Sequence, residues 1–427
     1  MHNHHRLDSD SDFSSLLSDQ LLLCVFSKLP ISHHLATSLV CKRWLYLHGR
    51  LVRSLNLLDW HFLESGRLFA RFPHLTEIDI ARSCIRLTPN SGVLVTFNPF
   101  FSLPISSTDD DLSKIELSFP PDRLDQGLQL MAQKYPNLRR VAAFGASEYG
   151  LASVGDALQE LELHCCGDMS LKGVSGCVNL QAMKLSARMD GFYACVVSDI
   201  GLTILAQGCK RLLKLQLCGC EGSYDGIKAI GQCCQMLEEL TLQDHRMDGG
   251  WLAALSFCAN LKTLRFRSCK AIDSSPGLDE HLGVCPMLQV LHLERCQLRD
   301  KKSTKSLFLV CENVGDILLR NCWGFQDDLF ALASICRRVK LLYLEHCSLL
   351  TTGGLESVLL SWKGLQRLMV VSCSNIKDNQ VTPELASLFS VLKELKWRPD
   401  TRSLLSSDLD GIGMWRKGGK FFTRLKG

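Results

Sequence analysis

Between Leu288 and Cys373 one nine-letter phrase is repeated four times: LQVLHLERC (Leu288–Cys296), VGDILLRNC (Val314–Cys322), VKLLYLEHC (Val339–Cys347) and LQRLMVVSC (Leu365–Cys373). Written L-x-x-L-x-L-x-x-C, it returns about every 26 residues. The alternation predicts a short strand, with Leu291 and Leu293 turned inward and His292 and Glu294 outward. The residues after it turn back as a helix. One such unit cannot cover its own apolar side, so only a stack of them makes a continuous core.

That period is the one expected of leucine-rich repeats. Thirteen phrases can be read, beginning at Leu75, Leu112, Leu138, Leu158, Leu180, Leu212, Leu237 and Leu261, then the four above, then Leu392. The fold class expected is α/β: a curved solenoid of about 13 repeats, parallel strands on the concave face and helices on the convex one. The pieces between strands, such as DIGLTILAQGC and QDDLFALASIC, begin near Asp or Gly and carry helical apolar spacing. Two stretches break the rhythm, 87–111 and 186–196, and read as inserted loops.

The 21 cysteines suggest a disulfide scaffold or zinc sites until their positions are compared. Seven (Cys166, Cys220, Cys269, Cys296, Cys322, Cys347, Cys373) close the phrase, and seven more (Cys177, Cys209, Cys234, Cys258, Cys285, Cys311, Cys336) stand three residues before it. Locked to the repeat, they read as small buried side chains rather than paired C-x-x-C ligands, which predicts reduced thiols and no metal site. Reduced thiols point to the cytoplasm or nucleus. The polar start, MHNHHRLDSDSDF, has no apolar signal core, and a net charge of +4 gives no argument for nucleic acid or membrane as partner.

Ahead of the repeats, Leu17–Leu47 reads as two short amphipathic helices. Ser18 is the expected N-cap of the first, with Asp19 in its opening turn, and Pro30 stops it. The second carries Leu35, Leu39, Val40 and Trp44. So little apolar surface cannot make a self-sufficient core, and part of it should be covered by something else. A terminal cap for the solenoid is one reading. The residues Leu17, Asp19, Leu22, Val25, Phe26, Leu29, Pro30, Leu35 and Val40-Cys41-Lys42-Arg43-Trp44 supply another, because this stretch resembles an F-box. It departs from that pattern at Ser18, where the family has Pro, and at His34, where it has Leu. With the cysteine-bearing array behind it, the chain resembles F-box/leucine-rich-repeat proteins, particularly those of plants.

The segments expected are a disordered start over 1–13, the F-box over 14–50, a helical linker over 51–74, the solenoid over 75–400 and a basic tail over 401–427. No P-loop, H-E-x-x-H or G-x-S-x-G is present, so the function sought is recognition rather than catalysis. The resemblance implies the substrate-receptor subunit of an SCF-type ubiquitin ligase. Leu17, Leu22, Val25, Phe26, Leu29, Pro30, Val40, Cys41 and Trp44 would meet a Skp-type adaptor and through it the cullin and RING subunits. On the array, Arg265, Arg267, His292, Glu294, Arg320, Tyr343, Glu345, Arg367 and Met369 fall on the concave face, and planar Arg forks and flat rings suit a target-binding surface. Two other readings stand beside it: a repeat scaffold without ubiquitin transfer and, as the resemblance implies, a small-molecule receptor with an inositol phosphate; the four arginines by themselves would allow an anionic ligand.

Overall fold

The computed structural model describes residues 13–84, 93–95, 120–155, 157–187, 196–278 and 282–399. The expected disordered start, the Leu112 phrase, most of the two expected loops and the basic tail lie outside them. The chain divides into two compact units, Met1–Phe144 and Gly145–Gly427.

The first unit opens with α1 (Asp19–Lys28), α2 (His34–Leu39) and α3 (Lys42–Leu51). There follow β1 (Ser54–Leu57), α4 (Trp60–Glu64), α5 (Arg67–Arg71), β2 (Glu77–Asp79), β3 (Val93–Val95), α6 (Pro121–Lys134) and β4 (Arg140–Phe144). The strand order is β4-β2-β1-β3, parallel except that β3 runs antiparallel on β1.

Two expectations are corrected here. The segment 51–74 is not a helical linker: β1 pairs in parallel with β2, Leu55 opposite Ile78, and α4 and α5 are the helical return. Val52, Leu55 and Leu57 already have the spacing of the phrase and all three are buried, so the repeats begin at Ser54. The stretch 87–111 is not wholly loop, since β3 adds an edge strand within it.

The second unit is built of ten parallel strands among its described residues, each taking the same place in its repeat. In chain order it contains α7 (Glu148–Ser153), β5 (Glu160–His164), α8 (Asp168–Val174), β6 (Ala182–Ser186), α9 (Asp199–Gly208), β7 (Lys214–Cys218), β8 (Glu221–Gly222), α10 (Tyr224–Cys233), β9 (Glu239–Gln243) and β10 (Arg246–Met247). It continues with β11 (Thr263–Arg267), β12 (Val290–Glu294), α11 (Lys301–Val310), β13 (Asp316–Arg320), α12 (Asp327–Phe330), β14 (Leu341–Glu345), α13 (Thr352–Leu359), β15 (Arg367–Val371), α14 (Pro383–Val391) and β16 (Glu394–Arg398). The short strands β8 and β10 form a separate two-stranded sheet. In the large one, Leu264, Leu291, Ile317, Leu342 and Leu368 stand directly opposite one another, as do Phe266, Leu293, Leu319, Leu344 and Val370. All ten are buried.

Three further ladders tie repeat to repeat. The residue two positions past the last inward Leu, Phe or Val leaves the strand in the left-handed conformation: Cys165, Asp244, Ser268, Arg295, Asn321, His346 and Ser372 lie at φ of 46° to 55°, and Gly219 at 64°. This strained geometry turns the chain toward the helix and lets the same residue's amide donate to the next strand's last carbonyl, as Arg295 N does to Arg320 O at 2.8 Å. The closing thiols reach back instead: Cys269, Cys322 and Cys347 point at the carbonyls of Leu242, Leu293 and Leu319, 3.5 to 3.7 Å away. The other cysteine column does the same, Cys234, Cys285 and Cys336 facing the carbonyls of Cys209, Cys258 and Cys311. All fourteen repeat-locked cysteines are buried free thiols.

At the helix starts a carboxylate replaces the thiol. Asp199 accepts from the amides of Ser223 and Gly226 and from the Ser223 hydroxyl, and Asp168 and Asp327 do likewise for Ser198 and Thr351. One aspartate therefore caps its neighbour's helix as well as favouring its own. Gly226 is required for this, because a Cβ there would lie 2.3 Å from the Asp199 oxygen.

Two measurements check these assignments. Exposed Arg295 occupies a left-handed site, so Arg295→Gly should raise unfolding stability by about 0.5–1 kcal/mol, while Arg295→Val should lower it by a similar or larger amount. The second concerns His245, packed edge-on against Trp251, with Nδ1 accepting from Met247 N and Nε2 buried without a partner. Burial pulls its pKa down to about 4 against the opposing pull of Asp273 and Asp244. The folded form thus refuses a proton that the unfolded chain takes near pH 6.5. Stability should fall as pH drops from 6.5 toward 4 and level off below it, and His245→Phe should flatten that part of the melting-temperature profile.

Candidate binding surfaces

Two surfaces carry the residues singled out in the sequence, one in each unit. The first is the helical domain. Leu22, Phe26 and Leu47 form its buried centre, with Leu23, Leu29, Trp44 and Leu51 packed around them. The Phe26 and Trp44 rings meet at 4.8 Å. Ser18 caps α1, its hydroxyl accepting from Leu21 N, so the residue that departs from the F-box pattern performs a capping role. Arg43 closes the domain by donating to Asp19, to Leu17 O and to Ser14 O, while the Trp44 indole donates to the Ser14 hydroxyl. The Cys41 sulfur caps α3 by accepting from Trp44 N.

The other departure, His34, is also absorbed. Its Nε2 lies 3.2 Å from Leu29 O and its Nδ1 3.1 Å from Nε2 of His48. Since a carbonyl can only accept, His34 Nε2 carries the proton and Nδ1 receives one from His48. Burial first, then the charges of His34 and Arg71, lower the His48 pKa. The pair joins α2 to α3.

This geometry divides the nine residues expected to meet an adaptor. Leu22 and Phe26 are corrected: they sit i and i+4 on the helix face turned toward α3 and are sealed in the domain's own interior. Leu29 and Trp44 are half-buried, and Leu17, Val25, Pro30, Val40 and Cys41 are exposed. The outward patch also gathers residues the sequence reading did not select: Leu16, Leu21, Leu39 and Tyr46. Leu16 is 80% exposed, Leu39 75%, Val40 61% and Val25 51%. Leu21 and Val25 are again i and i+4, one helical step round from Leu22 and Phe26. That α1 has more apolar residues than one face can hold was the available signal.

The second surface is the open face of β11–β15. The register places the expected residues in rows. Arg265, His292, Leu318, Tyr343 and Met369 form the middle row, and Arg267, Glu294, Arg320 and Glu345 the one beside it. The second row alternates in charge and neutralises itself: Arg267 Nε donates to Glu294 at 2.9 Å and Arg320 Nε lies 2.9 Å from Glu345. The Arg320 guanidinium also covers the Tyr343 ring at 5.0 Å, and the Tyr343 hydroxyl donates to Glu345. Arg367 crosses β14 to reach Asp316. Burial alone would raise the Glu294 pKa, but the hydrogen bond and charge of Arg267 bring it below the usual range. His292 is held neutral by burial, opposed by Glu294 and reinforced by the three arginines around it. Exposed pairs of this kind add at most about 1 kcal/mol to stability, so their contribution is to fix a charge pattern. An anionic ligand would have to compete with these internal carboxylates for three of the four arginines. Leu318, missed as a surface residue because it is apolar, completes the middle row.

Among the described residues no three His, Cys, Asp or Glu side chains are placed to hold a metal, and no helix is long and apolar enough to cross a membrane.

Residues 14–47 match the family described as F-box domain. Among solved structures the chain is similar to TLR13 in its complex with ssRNA13, with a TM-score of 0.44 and 14% identity over 77% of this chain and 40% of that one. It is also similar to an internalin from Listeria monocytogenes, with a TM-score of 0.37 and 17% identity over 60% of this chain and 67% of that one. The chain therefore spans about 40% of the length of the first of these.

The division of α1 into two faces has a measurable consequence. Phe26→Ala should destabilise the first unit by about 3–5 kcal/mol, whereas Val25→Ala, on the same helix one residue earlier, should change its denaturant midpoint by a small fraction of that.

Proposed function

We propose, taking as premise that an F-box at residues 14–47 precedes leucine-rich repeats, that the chain is the substrate-recognition subunit of an SCF-type ubiquitin ligase. The observation that carries this reading is that Leu16, Leu21, Val25, Leu39 and Val40 are exposed although the domain's own core of Leu22, Phe26 and Leu47 is already closed. A helical domain this small that turns a second apolar face to solvent has a surface suited to another subunit. On this reading the patch docks on a Skp-type adaptor, which links the chain to cullin and RING subunits, and the open face of the second unit holds a target protein. The chain contributes proximity rather than bond chemistry: it raises the local concentration of target lysines beside the charged ubiquitin.

The test is co-purification with a Skp-type adaptor. The intact chain should give a stable pair on gel filtration. Val25→Asp combined with Leu39→Asp should abolish the pair without changing the melting curve, because both side chains are exposed. Undiminished pairing of that variant would overturn the reading. A scaffold without ubiquitin transfer is distinguished by reconstituting the ligase and looking for adaptor-dependent ubiquitination.

A further inference from the structure

Beyond the open face, the edge of the second unit where strands run into helices carries a groove of about 510 Å³ between the turns after β12, β13 and β14. Arg299, Lys301, Trp323, Asp328, Leu329 and Leu349 line it. Trp323 is the feature that marks it. The indole is 55% exposed, whereas Trp60, Trp251, Trp362 and Trp397 are buried, and Leu349 beside it is 42% exposed. Large apolar side chains so displayed are costly in water unless something covers them.

The display is rigid. Trp323 N donates to Cys296 O at 2.9 Å and Trp323 O accepts from Leu298 N at 2.8 Å, so its backbone is held on both sides by the preceding repeat. Gly324 then turns at φ 76°, and a Cβ there would lie 2.9 Å from Leu298 O. A side chain carried on a backbone already fixed leaves only its own rotamers to be ordered on binding, which suits an interface anchor.

The charges around the ring select the partner. Lys301 and Lys302 occupy the first turn of α11, where the exposed amides and the helix dipole favour acids, and no acid is in that turn. Asp300 offsets part of this by capping Ser303 N. Arg299 and Lys301 are both exposed and line the groove. The lining contains one carboxylate, Asp328. Cations set where helix stability would place anions, beside an exposed indole on a fixed backbone, complement a negative ligand carrying an apolar side chain.

We propose that this groove binds an acidic segment of a partner protein, one large apolar side chain lying against Trp323 and Leu349 and neighbouring carboxylates facing Arg299 and Lys301. The proposal rests on the reading of the repeats as a recognition surface, and does not depend on the adaptor.

The experiment is peptide display against the purified full chain and against two variants, Trp323→Ala and Arg299→Glu combined with Lys301→Glu, each first shown to melt like the parent. Selected peptides are then synthesised and titrated by fluorescence anisotropy. The expected result is a set rich in Asp and Glu around Leu, Ile or Phe, weakened at least tenfold by either variant and weakened by added salt. Peptides that are basic or that bind the variants as well as the parent would overturn it, and so would a selection yielding no peptide that separates parent from variants. Adaptor pairing is measured on the same samples: a chain that pairs but selects nothing sinks the groove alone, and one that selects acidic peptides but does not pair sinks the ligase reading alone.

Discussion

Register is the constraint on which the second unit depends. Because each strand sets its residues opposite the same positions of its neighbours, any side chain chosen once per repeat becomes a column that runs through the sheet. Leucines so aligned give a continuous core; left-handed residues give a continuous backbone ladder; aspartates give a chain of shared caps. A slip of one residue would turn every buried leucine to solvent and bury the Arg-Glu row without partners, which makes the pairing self-correcting.

The helical domain follows a different logic. Its core is three residues deep and closed by polar contacts at the rim, with Arg43 spanning from Asp19 to the Ser14 carbonyl. What remains of its apolar sequence is turned outward. The same ten residues of α1 thus hold a buried folding face and an exposed apolar face, about 100° apart on the helix, and the two can be altered separately.

Much of the fold was legible because strand spacing is a property of sequence period. The phrase at Val52, Leu55 and Leu57 escaped because the neighbouring letters, LLDWHFLE, have helical spacing of their own. The site was less legible. Pattern resemblance selects positions without telling which side of the helix each faces, and so it grouped buried Phe26 with exposed Val25. The charged residues of the open face were identifiable by position. That Glu294 and Glu345 neutralise Arg267 and Arg320 depends on cross-strand distance, which a single phrase cannot express. Leu318 holds an outward position of the phrase and was passed over only because it is apolar, whereas Trp323 lies past the phrase, where the alternation gives no direction.

The cysteine columns carry one more implication. Burial lifts the thiols of Cys209, Cys234, Cys258, Cys285, Cys322 and Cys336 to a pKa of about 12, which leaves roughly one thiolate in 10⁵ at neutral pH. Those six thiols are therefore chemically silent toward electrophiles while their repeats are closed, and a repeat that swings open announces itself when its own thiol becomes alkylable. The array is in effect labelled along its length by its own atoms, so the order in which its turns come apart is written in the order in which its sulfurs react.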